Sequence, residues 1–356
     1  LFSTRRVSQG LFCALFVCAC LGSFARNAHP GRLAHRTHVR DVRLARSHRA
    51  APTCRAMPPT PSFIDTHVHL WDDPLPPWLS DPALATLARP RTIADNAADA
   101  GPQLVGAVYL EVDVAPGDRP REVAEITALC ADASNPLKGA VIGAPVADGT
   151  VAEFEAYLAA NATSPFVKGV RQVLHIQPTG TCVRPDVVAK ARLCGERGLV
   201  FELCMRAEEL SDVAALADAA PDTRLVLDHC GGHHQLVASA PEAKVAAWKE
   251  GITLLASKRN VWCKLSGLLG AQGGTEGASG AGGWTPAAQA TTIGYCIEAF
   301  APDRLIFGGD WPVCTLTAPL SAWSECCIAL LDERLGAEGR ERVLVRNAVE
   351  AYGLQM

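Results

Sequence analysis

Two histidines separated by a single residue are the first side chains in this sequence that could carry chemistry. His67 and His69 lie in the segment Phe-Ile-Asp-Thr-His-Val-His-Leu-Trp-Asp, residues 63–72. If this segment ends a β-strand, both imidazoles project to the same side, because side chains alternate along a strand. Two such imidazoles can bind one metal ion or one substrate group. The motif is weak by itself, and a functional interpretation requires that other strands bring matching groups to the same place.

The chain beyond Pro61 has the elements that could do this. Short apolar runs alternate with amphipathic segments of helical composition, eight of each, which predicts an α/β fold of the (β/α)8 TIM-barrel type. The predicted strands are residues 62–67, 105–112, 140–145, 167–174, 199–205, 224–229, 261–267 and 304–309. The predicted helices are residues 119–133, 151–160, 185–197, 207–219, 241–257, 286–300, 321–335 and 338–352. A Pro-rich stretch at residues 72–91 predicts a stiff, irregular loop over the barrel mouth.

The ends of the predicted strands supply the candidate site residues. In a β/α barrel the reactive groups stand at the carboxyl ends of the strands, and ionisable side chains there are costly to bury without partners. In strand order the candidates are His67 and His69, Glu111, Arg171 with His175 just beyond it, Glu202, Asp228 with His229, Lys264, and Asp310 with Trp311. An acid in Gly-Gly-Asp-Trp-Pro, directly after an apolar run, has few structural explanations, so Asp310 is the strongest candidate.

Several of these motifs resemble the amidohydrolase superfamily. They are His-x-His at 67–69, Leu-Asp-His at 227–229 and Phe-Gly-Gly-Asp-Trp-Pro at 307–312. Cys-Lys-Leu-Ser-Gly-Leu at 263–268, Gly-Val-Arg at 169–171 and a closing motif that contains Asn347-Ala348 and Tyr352-Gly353-Leu354 resemble one branch more narrowly. This amidohydrolase-related branch holds sugar-acid lactonases and 2-pyrone-4,6-dicarboxylate hydrolase. The resemblance runs from about Phe63 to Leu354 and implies a TIM barrel of the metal-dependent-hydrolase type that opens a small lactone or cyclic ester.

The resemblance also implies the catalytic roles. Asp310 would be the general base that activates water. The histidines His67, His69 and His229 would polarise the scissile carbonyl, directly or through a divalent ion. Elementary chemistry agrees, because a carboxylate near several imidazoles stays ionised at neutral pH and can accept a proton.

Substrate binding is expected to involve a second set of residues. Arg171 would bind a carboxylate or the developing oxyanion through its planar fork of N–H groups, which predicts an anionic lactone as the substrate. The further substrate-binding candidates are Lys264, Trp311 and Glu111.

The metal site departs from the two-metal pattern of the superfamily. Members with a binuclear centre carry a further histidine on strand five and a bridging Lys or Glu on strand four, whereas this chain has Glu202 and Arg171 on these strands. At most one divalent ion is therefore expected. Its ligands would be His67, His69, His229 and Asp310, with Glu111 as a further candidate. Zinc suits such ligands, but some related lactonases work without metal, so a metal-independent site is the alternative.

Several candidates have structural interpretations as well. Glu202 fits an ion-paired residue of the barrel mouth, and Asp228 fits a carboxylate that orients a histidine. Lys264 could hold substrate or pair with Asp310 or Glu202. Trp311 could be a platform for a substrate ring or a plug beneath the site.

Two other functions fit the same residues. One is a zinc-dependent decarboxylase of the same superfamily, which product analysis would separate from a hydrolase. The other is a non-catalytic barrel that binds a small molecule. A serine hydrolase is disfavoured, since the chain contains no G-x-S-x-G motif.

Charge and cysteine content restrict the partners. Residues 1–57 contain ten Arg, no Lys and one Asp, whereas the rest of the chain has 23 Lys and Arg against 36 Asp and Glu. This acidic body argues against nucleic acid and favours a small-molecule substrate, while the oligomeric state is left open.

Four of the 14 Cys lie in residues 1–57 and no C-x-x-C pair occurs, which favours a reducing compartment.

Residues 1–57 are predicted to be a targeting leader, and residues 58–356 the barrel domain. An apolar run at residues 11–24 resembles a signal sequence, and residues 26–55, rich in Arg, Ala and His, resemble a transit peptide. This two-part leader resembles those of plastid proteins and predicts a plastid location without a stable membrane anchor. A disordered tail on a cytoplasmic protein is the alternative.

The Gly-rich residues 270–283 predict a surface insertion rather than a lid.

Overall fold

The computed structural model describes residues 61–232, 241–269, 286–300 and 302–356 of the chain. The predicted leader at residues 1–57 and the predicted insertion at residues 270–283 lie outside the described residues.

The described residues form one sheet of eight parallel strands that follow one another in chain order. A parallel bridge between Val68 and Trp311 joins the first strand to the chain just beyond the last, which closes the sheet into a barrel. The strands are β1 Phe63–Val68, β2 Leu104–Leu110, β3 Leu137–Gly143, β4 Val167–Val173, β5 Val200–Cys204, β6 Leu225–Leu227, β7 Val261–Leu265 and β8 Leu305–Phe307. The predicted TIM barrel is confirmed, and each of the eight strands lies where the apolar runs placed it.

Helices follow the strands as in other β/α barrels. They are α1 Ile93–Ala100, α2 Arg119–Ala131, α3 Val151–Asn161, α4 Pro185–Glu196, α5 Leu210–Ala219, the one-turn α6 His229–Gly232, α7 Glu242–Ala256, α8 Pro286–Phe300, α9 Leu320–Glu341 and α10 Asn347–Tyr352. A kink in α9 at Gly336, where φ is 68°, separates the two helices that were predicted at the end of the chain.

Two local features differ from the sequence-based prediction. Helix α1 was not predicted, although Thr92 and Asp95 cap it reciprocally with their side chains, and this spacing was a readable signal. The Pro-rich stretch contains two short 3-10 turns, Pro77–Ser80 and Pro82–Leu84. It packs toward the mouth, since the Trp78 indole donates a hydrogen bond to the carbonyl of Val112 just beyond β2.

The barrel interior is apolar at one end and polar at the other. At the amino ends of the strands, α10 packs against inward-facing side chains of the barrel: Ile64, Val108, Val141, Val200, Val226, Trp262 and Ile306. Two residues further along their strands, the interior positions are the buried Glu202, Asp228 and Lys264. Apolar packing therefore closes one end and leaves the ionisable groups at the other.

Two further observations bear on the earlier expectations. The ten described cysteines are all buried and free of disulfides. Within the ranges that the structure describes, no helix is long and apolar enough to cross a membrane.

Candidate active site

The carboxyl end of β1 directs two imidazoles into the barrel mouth. The pairing of β1 with β2 shifts register between Asp65 and Val68, and the rings of His67 and His69 lie 4.9 Å apart at 83° to one another. Nδ1 of His69 is 3.0 Å from the carbonyl oxygen of Leu110. Because a carbonyl oxygen can only accept, this Nδ1 carries a hydrogen and donates it, and Nε2 of His69 faces Asp310.

Asp310 follows β8 and faces both imidazoles. Its φ is +57°, a left-handed conformation that costs about 1 kcal/mol in a residue other than glycine. Its Oδ1 lies 3.6 Å from Nε2 of His67 and 3.6 Å from Nε2 of His69. A strained turn thus holds a buried carboxylate opposite the two nitrogens.

His229 reaches the same place from β6. It begins α6, where its own φ is +54° and the next three residues also have positive φ. Its ring centroid lies 4.6 Å from that of His67, and its Nδ1 is 3.0 Å from Oγ of Ser266. Gly267 passes so close to the imidazole that a Cβ there would lie 2.2 Å from Nδ1. Glycine at position 267 is therefore required by the position of His229.

Asp65 joins the two strands that carry the site, and it was not among the site residues predicted from the sequence. Its Oδ1 accepts hydrogen bonds from the backbone N–H of His67 at 3.0 Å and of Gly309 at 2.7 Å. Burial raises the pKa of Asp65 to about 7 in spite of these two hydrogen bonds. The available signal was an acid inside an apolar strand, two residues before the first histidine.

Arg171 is paired on both sides by carboxylates. Its Nε donates to Oε1 of Glu111 at 2.7 Å, and its Nη2 donates to the Glu111 carbonyl at 2.9 Å. Its Nη1 donates to Oδ2 of Asp228 at 3.2 Å. Two of the five guanidinium hydrogens are left for other contacts.

Lys264 is fully buried beneath the histidines. Its Nζ donates to Oε2 of Glu202 at 2.7 Å and lies 3.2 Å from Oδ1 of Asp228. Nδ1 of His67 is 3.4 Å from the same Asp228 oxygen. Of the pairings considered from the sequence, Lys264 makes the one with Glu202, and Asp228 lies where it can orient a histidine.

Burial and neighbouring charges set the protonation of the central groups. Burial lowers the pKa of His67 well below its ordinary value, although Asp228 opposes this. Burial alone would raise the pKa of Asp310, but His229 and a hydrogen bond with His69 outweigh it and lower the pKa to about 2. Burial opposes protonation of His229, but the Asp310 carboxylate outweighs burial and raises the pKa of His229. At neutral pH an ionised Asp310 therefore faces a neutral His67.

The donor atoms of the site fit one divalent ion. Atoms of His67, His229 and Asp310 lie within 4.8 Å of one another. Nε2 of His67 is buried and has no hydrogen-bond partner among the described residues. A cation among these atoms would satisfy that nitrogen and could also be ligated by Nε2 of His69, and nitrogen ligands with one carboxylate suit zinc.

Two other candidates are held by contacts of their own. The Trp311 indole is 2% exposed and donates to Oδ2 of Asp99 at 3.1 Å, within the barrel wall. His175 lies beyond β4, with its Nδ1 3.2 Å from Sγ of Cys204, a cysteine whose sulfur also lies within 4.8 Å of donor atoms of Asp228 and His229. The substrate-binding roles of Arg171, Lys264, Trp311 and Glu111 stay predictions.

Comparisons with known proteins agree with this architecture. An L-fucono-1,5-lactonase of Burkholderia multivorans is 30% identical over 162 residues, which are 44% of this chain and 51% of the lactonase. The chain thus spans about half the length of this relative. An L-rhamnono-gamma-lactonase of Scheffersomyces stipitis is 23% identical over 341 residues, covering 82% of this chain and 98% of that protein.

Solved structures show the same fold. An amidohydrolase of Burkholderia multivorans crystallised with bound zinc has a TM-score of 0.70 at 23% identity, covering 83% of this chain and 100% of that one. The family model described as amidohydrolase matches residues 64–354, which is nearly the whole barrel. The chain therefore belongs to the amidohydrolase family.

Proposed function

We propose that this protein is a hydrolase that opens a small, uncharged, polyhydroxylated lactone by attack of water on the ester carbonyl. The observation that carries the proposal is the convergence of two imidazole nitrogens on Asp310 Oδ1, each at 3.6 Å, at the carboxyl end of a β/α barrel. An ester carbonyl requires an electrophile on one side and a base-activated water on the other.

Each residue of this group has a stated task. Asp310, ionised at neutral pH, accepts the proton of the attacking water and then delivers it to the ring oxygen that leaves. The raised pKa of His229 favours its protonated form, which supplies positive charge beside the carbonyl oxygen opposite Asp310. The Nε2 atoms of His67 and His69 face the same place and would ligate an ion there. A single divalent ion held by His67, His69, His229 and Asp310 would supply a stronger positive charge beside that carbonyl.

The charge balance of the mouth supports an uncharged substrate. Arg171 was expected to bind a substrate carboxylate or the developing oxyanion, but Glu111 and Asp228 already pair with its charge. Lys264 is likewise paired with Glu202. A lactone that carries only hydroxyl groups does not need a positively charged side chain without a carboxylate partner. The relatives named as lactonases act on molecules of this kind. An anionic lactone of the pyrone-dicarboxylate type is the second candidate, since two guanidinium hydrogens of Arg171 are left for it.

A panel of substrates tests the proposal. Sugar-acid lactones of both ring sizes and a pyrone dicarboxylate are supplied to the purified protein, with and without a chelator, while released acid and released carbon dioxide are recorded together. We expect acid release from the uncharged lactones, and loss of this release in Asp310→Asn. Release of carbon dioxide would favour the decarboxylase over the hydrolase. If a folded protein supplied with metal turns over none of these substrates, both functions are refuted.

The plastid destination is a separate proposal that rests on residues 1–57 alone. A fluorescent protein fused behind these residues should enter plastids of an algal host, while the same fusion that begins at residue 58 should not. Retention of the first fusion in the cytoplasm would contradict the targeting interpretation.

A further inference from the structure

The closing motif at residues 347–354 takes no part in the reaction proposed above, yet it is anchored firmly to the barrel. Asn347 donates hydrogen bonds from Nδ2 to the carbonyls of Pro302, at 2.5 Å, and Leu305, at 2.7 Å, where β8 begins. Helix α10 thereby closes the end of the barrel opposite the mouth. Its last residue, Tyr352, is 3% exposed and points into the interior.

The Tyr352 hydroxyl reaches the charged groups beneath the histidines. It donates to Oε1 of Glu202 at 2.6 Å. The other oxygen of the same carboxylate, Oε2, accepts from Nζ of Lys264 at 2.7 Å. One carboxyl group thus links the C-terminal helix to the buried lysine, and its two oxygens are held by donors from opposite ends of the barrel.

Lys264 has more acceptors around it than hydrogens to give. Besides Glu202, its Nζ lies 3.0 Å from the carbonyl of Thr66, 3.2 Å from Oδ1 of Asp228 and 3.3 Å from Nδ1 of His67. An ammonium group has three hydrogens, and the two shortest contacts take two of them. The third hydrogen must go either to Asp228 or to His67: the contact with His67 has the geometry of a hydrogen bond, whereas Oδ1 of Asp228 is an ion-pair partner that no hydrogen bond from the described residues reaches.

This choice decides which nitrogen of His67 carries its hydrogen. If Lys264 donates to Asp228, Nδ1 of His67 can donate to the same carboxylate, 3.4 Å away, and Nε2 keeps the lone pair that faces Asp310. If Lys264 donates to Nδ1 instead, the hydrogen of His67 moves to Nε2. Nε2 could then neither bind an ion nor accept a hydrogen bond. The position of Lys264, a few tenths of an ångström in either direction, selects between these two states.

We propose that Tyr352 is a positioning residue for the active site: by holding Glu202 it holds Lys264, and so keeps Nε2 of His67 unprotonated. The tautomer rests on the charge of Asp228, whose carboxylate attracts hydrogens from both Lys264 and Nδ1 of His67, whereas its value for catalysis rests on the proposed function. The closing motif then acts on the active site only through Glu202 and Lys264 and does not touch substrate.

Imidazole NMR tests the proposal without any substrate. The full chain is labelled with ¹⁵N, chelator is added so that no bound ion dictates the tautomer, and the His67 signals are assigned with His67→Gln. We expect Nδ1 to be protonated and Nε2 unprotonated in the wild type. In Tyr352→Phe we expect protonated Nε2 to become populated, since Glu202 has lost the donor that fixes one of its oxygens.

A second tyrosine provides a matched control. Tyr109, 2% exposed, donates to Oε1 of the buried Glu122 at 2.7 Å, so Tyr109→Phe removes an equivalent hydroxyl from the outer face of the barrel. The His67 signals of this variant should match the wild type. If Tyr352→Phe does not fold, Glu202→Gln breaks the same link while keeping the shape of the side chain. Identical His67 signals in the wild type and in the folded variant, or protonated Nε2 in the wild type, would overturn the proposal.

Two further measurements separate this proposal from the proposed function. Zinc affinity, measured by competition with a chromophoric chelator, should fall about 10-fold in Tyr352→Phe and stay unchanged in Tyr109→Phe. If the protein opens lactones, kcat should fall by a similar factor with little change in KM. A protein that turns over no lactone but shows the NMR difference would refute the hydrolase and leave the positioning role standing.

Discussion

A single methyl group added at Gly267 should displace the His229 imidazole. The Cβ of an alanine there would lie 2.2 Å from Nδ1 and 2.4 Å from Cγ of His229, whereas ordinary contact begins at 3.4 Å. The ring or the β7 loop must therefore move by about 1 Å, because neither distance can be met by a small adjustment. Ser266 accompanies this movement, since its Oγ lies 3.0 Å from Nδ1 of His229.

The displacement sets the size of the expected effect. A misplacement of about 1 Å in a catalytic constellation can lower activity about 100-fold. The left-handed backbone adds a separate cost, because φ at Gly267 is +67° and an alanine in this region costs about 1 kcal/mol of folding free energy. Gly267→Ala should thus lose about two orders of magnitude in kcat/KM and more than 1 kcal/mol of stability.

Gly198 offers a control that isolates the backbone cost. It has φ of +70° and no atom within 4 Å of its Cβ position, at the end of the barrel away from the mouth. Gly198→Ala should lose about 1 kcal/mol in urea unfolding and keep its activity. The assay is kcat/KM on the best lactone of the panel, with urea unfolding of both variants. Equal activity of the two folded variants would show that His229 does not depend on Gly267, and the account of the site would be wrong.

Four other outcomes are expected. Asp310→Asn should lower kcat by about 1000-fold, because an amide cannot accept the proton of water; a loss below about 10-fold in acid-release kinetics would contradict its role as base. Burial raises the pKa of Glu122 to about 7, so its contribution to stability is lost as pH rises from 4.5 through 7. Glu122→Gln should therefore be more stable than the wild type by up to about 3 kcal/mol in urea unfolding at pH 8, and equal at pH 4; the reverse order would refute this. Nζ of Lys190 lies within hydrogen-bond distance of four carbonyl oxygens, those of Pro145, Val146, Asp148 and Gly149, and has three hydrogens to share among them, so Lys190→Met should lower the unfolding free energy by about 3 kcal/mol; a change near zero would contradict this. Chelation should lower both Tm and lactone turnover, and zinc should restore both; unchanged values in protein that elemental analysis finds metal-free would favour the metal-independent site.

Much of the fold and the central part of the site could be predicted from the sequence because both depend on local patterns. Apolar strands alternating with amphipathic helices specify the barrel, and the rule that chemistry sits at the carboxyl ends of strands selected His67, His229 and Asp310. The same patterns found each of the eight strands. Helix α1 was missed although its Thr92–Asp95 capping box was visible, since the Pro-rich stretch before it suggested continuing irregular structure.

The pairing of the buried charges could be decided only by the tertiary structure. Arg171 had several carboxylates within reach in principle, and the strand register placed it against Glu111 and Asp228, 60 and 57 residues away in the chain. Tyr352, 150 residues from Glu202, enters from the opposite end of the barrel and carries no local signal of this contact. Periodicity determines which face of an element a side chain occupies. The pairing of the buried charges depends on the register between strands and on the closure of the barrel. There, differences of a few tenths of an ångström decide the position of a proton.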